Sequence, residues 1–322
     1  MFSFAKDPLI QGIVAAAVLA ILLPARGGCA EAIGLATTLG IALLFFLYGA
    51  RLSTQEALRG LQNWRLQLLI LAFTFIAYPL IGAALRPTTA LIGTELYHGI
   101  LYALLVPSTV QSCVALTGVA RGNVAGAIVA ASVSSIVGVV ATPALVMLLM
   151  GQGEGIRIDA SVFGSVALQL LLPFALGQLA RNIAPRVGDM AGRKGTKLVD
   201  RISIWLVVYA AFSKGMVAGV WSQVAVWEIG FLIALTVFLV AAMLWMTRAV
   251  PRALGFGYGD QVAVQMCGTQ KSLAAGLPMA SVIFGGATLG ILIVPLMIYH
   301  MAQLIICSGL AARYAQRAEP ES

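Results

Sequence analysis

Long apolar segments alternate with short charged ones along nearly the whole chain. An apolar segment of about 20 residues is long enough to cross the hydrocarbon core of a bilayer as a helix. The predicted spans are Leu9–Leu23, Ala32–Tyr48, Leu66–Leu85, Gly99–Val119, Val124–Met150, Val162–Leu179, Ile202–Val220, Ile229–Trp245, Gln261–Phe284 and Leu289–Leu310. The pattern therefore predicts an all-α polytopic membrane protein with ten transmembrane helices, numbered here as spans one to ten.

The composition agrees with a membrane protein, and the sequence shows no sign of a nucleic-acid-binding protein or an enzyme. Of the residues, 60% are hydrophobic and 10% are charged, whereas a soluble domain carries about 25% charged residues. Basic loops that orient a membrane protein account for the net charge of +8, so we expect the lipid bilayer and no nucleic acid as partner. The scattered cysteines and histidines give no metal-binding spacing, and the motifs of common enzyme classes are missing from the sequence. We therefore expect a protein that is not an enzyme and has no confident metal site.

The basic residues also predict the orientation, because loops rich in Lys and Arg stay in the cytoplasm. Fifteen lie in one set of alternate loops, and Lys271 lies inside a span. The other set holds only four, which are Arg26, Arg86, Arg157 and Lys214. Both termini are thus predicted to be cytoplasmic in a multi-pass protein of the inner (cytoplasmic) membrane.

The most basic connection, residues 181–201, divides the ten spans into five and five. An odd number of spans inverts the second half relative to the first, as in transporters built from inverted repeats. The first repeat is predicted in residues 1–180, which include the start of span six, and the second in residues 162–322. Residues 109–115 resemble residues 268–274, which agrees with such a repeat.

Spans four and nine carry polar and helix-breaking residues in the middle of apolar sequence. Proline removes a backbone donor, and a lysine at the bilayer centre costs roughly 2.5–3.5 kcal/mol. We therefore predict that both helices are broken at a transport site. The candidate substrate- and ion-binding residues in these spans are Ser108, Thr109, Gln111, Ser112, Thr269, Gln270, Lys271 and Ser272.

Lys271 lies eleven positions after Asp260, the nearest preceding charge, and apolar sequence continues beyond it. Two roles remain open from the sequence: the lysine exchanges protons, or it stays charged and takes the place of a bound cation. Its charge and the N-terminal ends of two half-helices favour a small organic anion as substrate.

Seven motifs spread over the chain carry a family resemblance. They are FFLYG at 45–49, PSTVQS at 107–112, ARGNV at 120–124, DR at 200–201, VYAAFS at 208–213, GTQKSL at 268–273 and PLMIYH with QL at 295–304. With them the chain resembles the bile acid/sodium symporter superfamily, in particular the bacterial relatives of its orphan seventh vertebrate member. The resemblance implies a panel of spans one, two, six and seven beside a core of spans three to five and eight to ten. Spans four and nine would cross near the midplane, and transport would proceed by alternating access.

The resemblance also implies ion sites behind the crossing in sodium-coupled members. Gln270 keeps a glutamine of such a site, Asn123 keeps the turn before span five, and Thr74 falls near a span-three glutamine, so Asn123 and Thr74 join the candidates. Positions that depart from the pattern are Met266 in place of a carboxylate, Ala127 and Ala131 in place of hydroxyls, and Lys271 in place of a neutral amide.

Coupling to sodium, with Gln270 as a contact, coupling to protons through Lys271, and no coupling all remain open. No cofactor other than a sodium ion is expected. A membrane regulator or receptor without transport is the alternative function, and the sequence leaves the substrate and the oligomeric state undetermined.

Overall fold

A computed structural model describes residues 8–51, 63–150, 164, 167–284 and 286–317 of the 322-residue chain. Within these ranges the regular structure is helical. The helices are α1 (Pro8–Leu22), α2 (Gly27–Arg51), α3 (Trp64–Ala84), α4 (Thr89–Leu105), α5 (Val110–Val119), α6 (Val124–Met150), α7 (Leu172–Ile183), α8 (Pro185–Ala191), α9 (Lys194–Val217), α10 (Val226–Ala253), α11 (Tyr258–Thr269), α12 (Leu273–Ile283) and α13 (Leu289–Arg317).

Five of the described helices, α2, α3, α6, α10 and α13, are long and apolar enough to cross a membrane. The pair α4–α5 passes the same test as one segment, with a 60° bend between its halves. Large apolar side chains such as Leu22, Ile183 and Trp245 are more than two-thirds exposed, as expected for surfaces that face lipid. The prediction of an all-α polytopic membrane protein is confirmed at this level.

Most described residues of the predicted spans lie in helices, apart from residues 106–109, residues 270–272 and a few span ends, and part of Val162–Leu179 lies outside the described residues. Several helices extend beyond the predicted limits. The helical segment of span four begins at Thr89 rather than Gly99 and has a kink at Gly93, whose φ is 73°. The helix of span seven begins at Lys194 rather than Ile202. Helices continue past the hydrocarbon core into polar surroundings, so hydropathy indicates where the membrane lies rather than where the helix ends.

The described helices pack in two groups. In the first group α9 packs against α1 and α2, and α2 packs against α7. In the second group α3 to α6 pack with α10, α11 and α13. Helix α9 also contacts α12 and α13, so it joins the two groups.

Two features hold the first group together: the close packing of α2 against α7, and an ion pair between α2 and α9. A Cβ atom added to Gly49 of α2 would lie 2.0 Å from the carbonyl oxygen of Phe174 in α7. One added to Gly177 of α7 would lie 2.0 Å from the carbonyl oxygen of Phe46. Arg51, the last residue of α2, donates to both carboxylate oxygens of Asp200 in α9, at 2.5 and 3.1 Å. These contacts fix α2 against α7 and α9.

Candidate functional site

Two non-helical segments, residues 106–109 between α4 and α5 and residues 270–272 between α11 and α12, meet inside the protein. We call them together the crossing. The backbone N–H of Ser272 donates to the carbonyl of Pro107 at 2.8 Å, and the hydroxyl of Thr109 donates to the carbonyl of Lys271 at 2.9 Å. Both segments have extended backbone at their ends. The interruptions therefore lie in the predicted spans four and nine and contact each other directly.

The side chain of Lys271 is fully buried at the crossing. Its Nζ donates to the backbone carbonyls of Leu104 at 2.7 Å, Val106 at 3.0 Å and Thr74 at 3.1 Å. The ammonium also lies 4.1 Å from the centre of the Tyr78 ring, a cation–π distance. Because an ammonium has three N–H donors, these carbonyls use all of them.

Local structure explains why these carbonyls are available. Helix α4 ends at Leu105, so its last carbonyls have no helical N–H partner. The N–H of Ser108, which would continue the helix, donates instead to the hydroxyl of Ser134 at 3.1 Å. Thr74 lies in a π-helical turn of α3, Phe73–Ala77, where the α-helical pairing of carbonyls is interrupted. The ammonium thus sits at the C-terminal, electronegative end of a half-helix, where a cation is favoured.

The backbone of Lys271 is held by Gln303 of α13. The backbone N–H of Lys271 donates to Oε1 of Gln303 at 2.7 Å, and the carbonyl of Lys271 accepts from Nε2 of the same amide at 2.8 Å. The Gln303 side chain therefore replaces both hydrogen bonds that a helix would have supplied. Gln303 is a polar residue within the apolar span ten, which is a signal for a structural role, but it is not among the predicted site residues.

The side chains of Gln270, in the break of span nine, and Ser112, in the first turn of α5, contact each other. The Ser112 hydroxyl donates to Oε1 of Gln270, and the Sγ of Cys113 lies 3.8 Å from the same oxygen. Nε2 of Gln270 is buried without a hydrogen-bond partner among the described residues. The oxygen that would contact a sodium ion is therefore already an acceptor for two side chains.

The carbonyl at the end of α11 is satisfied by two tyrosines. The Tyr78 hydroxyl donates to the carbonyl of Thr269 at 2.5 Å and accepts from the Tyr299 hydroxyl at 2.5 Å, and the Tyr299 hydroxyl lies 3.2 Å from the same carbonyl. The Thr269 hydroxyl pairs with that of Thr247 at 3.0 Å. Ser272 caps α12 by accepting from the N–H of Ala275 at 3.2 Å. Tyr299 lies in the PLMIYH motif, but neither tyrosine is among the predicted site residues.

Ser108 lies in the crossing and Thr74 contacts it through its carbonyl, whereas Asn123 and Gln111 lie elsewhere. The Ser108 hydroxyl donates to the carbonyl of Cys267 at 2.7 Å, and the Thr74 hydroxyl donates within its own helix. Asn123 accepts from the N–H of Gly126 at the start of α6, and its Nδ2 donates to Asp260 at 2.6 Å. Gln111 is exposed in the first turn of α5. The geometry gives Asn123 a capping role, and the binding roles of all ten candidates stay predictions.

Comparison with known proteins bears on this arrangement of broken helices. The model of the SBF-like CPA transporter family matches residues 7–316. The chain belongs to this family. The match covers nearly the whole chain, and it confirms the resemblance to the bile acid/sodium symporters.

Individual relatives are similar to this chain over almost their full length. The protein PA2026 of Pseudomonas aeruginosa is 43% identical over 98% of this chain and 95% of its own. YfeH of Escherichia coli, whose name describes a symporter, is 39% identical over 97% of this chain and 94% of its own. Sodium/bile acid cotransporter 7 of Danio rerio is 29% identical over 95% of this chain and 92% of its own.

The protein also contains a cavity of about 90 Å³ away from the crossing. It lies where α2 and α9 face α12 and the start of α13, and its polar lining residues are Thr37, Thr38, Gln169, Lys214 and Ser281. None of the ten predicted site residues lines it. The hydroxyls of Thr37, Thr38 and Ser281 donate to carbonyls of their own helices. The Lys214 ammonium and the Gln169 amide are thus the groups that can hold an anion here.

Sequence reasoning misses this cavity, although one signal for it is visible. Lys214 is one of only four basic residues assigned to the poorly charged side of the membrane, at the end of span seven. Its neighbours come from four separate parts of the chain, so only the packing of α2, α9 and α12 brings them together.

Proposed function

We propose that this protein is a secondary active transporter that moves a small organic anion by alternating access. The observation that carries the proposal is the contact between two broken helices in the protein interior. Such breaks place helix ends and free backbone groups at the substrate and ion sites of transporters. Membership in a transporter family and the symporter name of YfeH support it.

The proposed architecture is ten transmembrane helices in two inverted repeats, residues 1–180 and 162–322. Span four corresponds to α4–α5 and span nine to α11–α12. The panel would comprise α1, α2, α7 and α9, and the core the other long helices. The separate packing of these groups supports this division. We place the protein in the cytoplasmic membrane with both termini in the cytoplasm, because the basic loops lie on that side.

The substrate is proposed to bind in the cavity between α2, α9, α12 and α13. This cavity lies between the proposed panel and core, where a relative movement of the two would change its access. Lys214 supplies the positive charge for an organic anion, while the Lys271 ammonium is fully engaged by backbone carbonyls. The volume of about 90 Å³ is far below the ~300 Å³ at which sites for drug-sized ligands begin. A small anion therefore fits this conformation best.

Coupling to sodium at the crossing is disfavoured by charge. A sodium ion about 4 Å from the Lys271 ammonium would be repelled by roughly 4 kcal/mol at an effective dielectric constant near 20. Met266, at the position of the family's carboxylate, adds no compensating charge. We propose that transport is either proton-coupled or uncoupled.

The carrier function is tested by uptake of radiolabelled acetate, benzoate, succinate and taurocholate into proteoliposomes, with protein-free liposomes as the blank. We expect uptake of at least one of these anions, and a roughly 10-fold or greater loss for Lys214→Ala, because a hydrogen bond to a charged group is worth about 1.5–3 kcal/mol. Lys214→Arg should retain most of the uptake, and Lys197→Ala, an exposed residue on the same helix, should behave like the wild type.

Two results would contradict the proposal. Uptake of none of the anions, together with unchanged melting temperatures in their presence, would favour a regulator or receptor. Uptake that is unaffected in Lys214→Ala would remove the cavity from the substrate pathway.

A further inference from the structure

The surroundings of the Lys271 ammonium have the composition of a cation-binding site. Three backbone carbonyls, from Thr74, Leu104 and Val106, point at Nζ from 2.7 to 3.1 Å. The ring face of Tyr78 closes a further side at 4.1 Å. We call these four groups the carbonyl cage.

Every group of the cage is neutral, and none of its oxygens can donate a hydrogen bond. Rings of backbone carbonyls are the groups with which proteins replace the hydration shell of potassium. An ammonium group and a potassium ion are similar in size, and each carries one positive charge. The cage thus has the chemistry of a site for a small monovalent cation.

The cage is also built into the fold independently of the lysine stem. The Thr74 carbonyl comes from the π-helical turn of α3, and the carbonyls of Leu104 and Val106 come from the end of α4. The ammonium reaches them from the break between α11 and α12. Four helices of the chain therefore converge on one cation, and without a cation three buried carbonyls would lose their partner, which is costly in a membrane interior.

We propose that Lys271 is a tethered cation: its ammonium occupies a monovalent-cation site formed by the carbonyls of Thr74, Leu104 and Val106 and the ring of Tyr78. The crossing consequently needs no bound ion in the native protein, and removal of the ammonium opens the site to a free cation. This deepens the proposed function, because it assigns the ion at the crossing. The test of the tethered cation measures only the stability of the protein, so an absence of transport would not contradict it.

The experiment measures the melting temperature of the purified full-length protein in detergent. Wild type, Lys271→Ala and Lys271→Met are compared at constant ionic strength in about 100 mM chloride salts of N-methylglucamine, sodium, potassium, ammonium and propylammonium. Alanine empties the cage, whereas methionine fills it with an uncharged chain of similar length. Methionine is therefore the matched control for an open site.

We expect the wild type to melt at the same temperature in all these salts. Lys271→Ala should melt lower in N-methylglucamine, and a cation that fits the cage should raise its melting temperature by about 3–5 °C in a saturable way, because a ligand of the native state stabilises it by mass action. Lys271→Met should also melt lower than the wild type but should not respond to the salts.

Three outcomes would overturn the inference. They are a wild-type protein that is itself stabilised by sodium, a Lys271→Ala protein that melts like the wild type, and a Lys271→Ala protein that none of the small cations stabilises. Failure of Lys271→Ala to fold in any of the salts counts as the third outcome, because an open cage would be filled by potassium or ammonium.

Discussion

A break in a membrane helix leaves backbone groups that only other parts of the protein can satisfy. At Lys271 the side-chain amide of Gln303 binds both the N–H and the carbonyl of the break. At Thr269 the Tyr78 hydroxyl donates to the carbonyl and accepts from the Tyr299 hydroxyl. Water does not reach these buried groups, so each of these side chains is a condition for the extended backbone of residues 270–272.

Replacing Gln303 by leucine should destabilise the protein by about 2–4 kcal/mol, because the buried N–H of Lys271 would lose its partner and the carbonyl of Lys271 would lose one of its donors. Thermal unfolding in detergent should show a drop in melting temperature of roughly 5–10 °C. Gln316→Leu, an exposed position on the same helix, is the control and should change the melting temperature by less than about 2 °C. Equal melting temperatures of the two variants would contradict the bridging role of Gln303.

Helix α2 approaches α7 more closely than any side chain would allow at two reciprocal positions. Gly49 faces the backbone of Phe174, and Gly177 faces the backbone of Phe46. Small residues at such interfaces let backbones approach in membrane proteins, where apolar burial contributes little to helix association. The α2–α7 pair is consequently a rigid part of the first packing group.

A methyl group at Gly177 should separate α2 from α7, because its obstacle at 2.0 Å is a backbone carbonyl rather than a flexible side chain. We expect Gly177→Ala to lose about 1–3 kcal/mol of stability, the usual cost of overpacking. Melting temperature and monodispersity after detergent extraction report the loss. Gly28→Ala is the matched control, since no atom lies within 4 Å of its added Cβ; a Gly177→Ala protein as stable as this control would show that the close approach is not required.

At the scale of the whole molecule, orientation in the membrane can be tested with a natural residue. Cys29 is exposed near the start of α2, while Cys113, Cys267 and Cys307 are buried. The proposed topology puts the start of α2 on the periplasmic side and the end of α8 on the cytoplasmic side.

A membrane-impermeant maleimide should therefore label Cys29 in intact spheroplasts, and Cys29→Ser should abolish the label. In the Cys29→Ser background, Gly192→Cys at the exposed end of α8 should be labelled only after the membrane is permeabilised. The opposite pattern would reverse the topology, and labelling of both positions in intact spheroplasts would exclude two cytoplasmic termini.

The similarity between residues 109–115 and 268–274 predicts which segments are equivalent in the two halves, but not which individual residues are. Matching residues 109–115 with 268–274 pairs Gln111 with Gln270. In the structure, however, Gln111 lies exposed in the first turn of α5, and Gln270 is buried in the break. The residues in equivalent places are Thr109 and Ser272, each directly before a new helix. Similar letters in apolar sequence identify the correct segments but not their register, because the helix ends are decided by tertiary hydrogen bonds.

The sequence by itself determined the membrane class, the helical content, the family and the positions of the two breaks. The family follows from the resemblance of the seven motifs, and the other features follow from hydropathy, from charge and from residues such as Pro107 and Lys271 that a lipid-facing helix cannot hold. Only the tertiary structure decided that Lys271 donates to carbonyls of Thr74, Leu104 and Val106, and that Thr37, Lys214 and Ser281 share a cavity. The partners of Lys271 are backbone atoms, which no side-chain pattern reveals, and the cavity residues are distant in sequence and meet only when the helices pack.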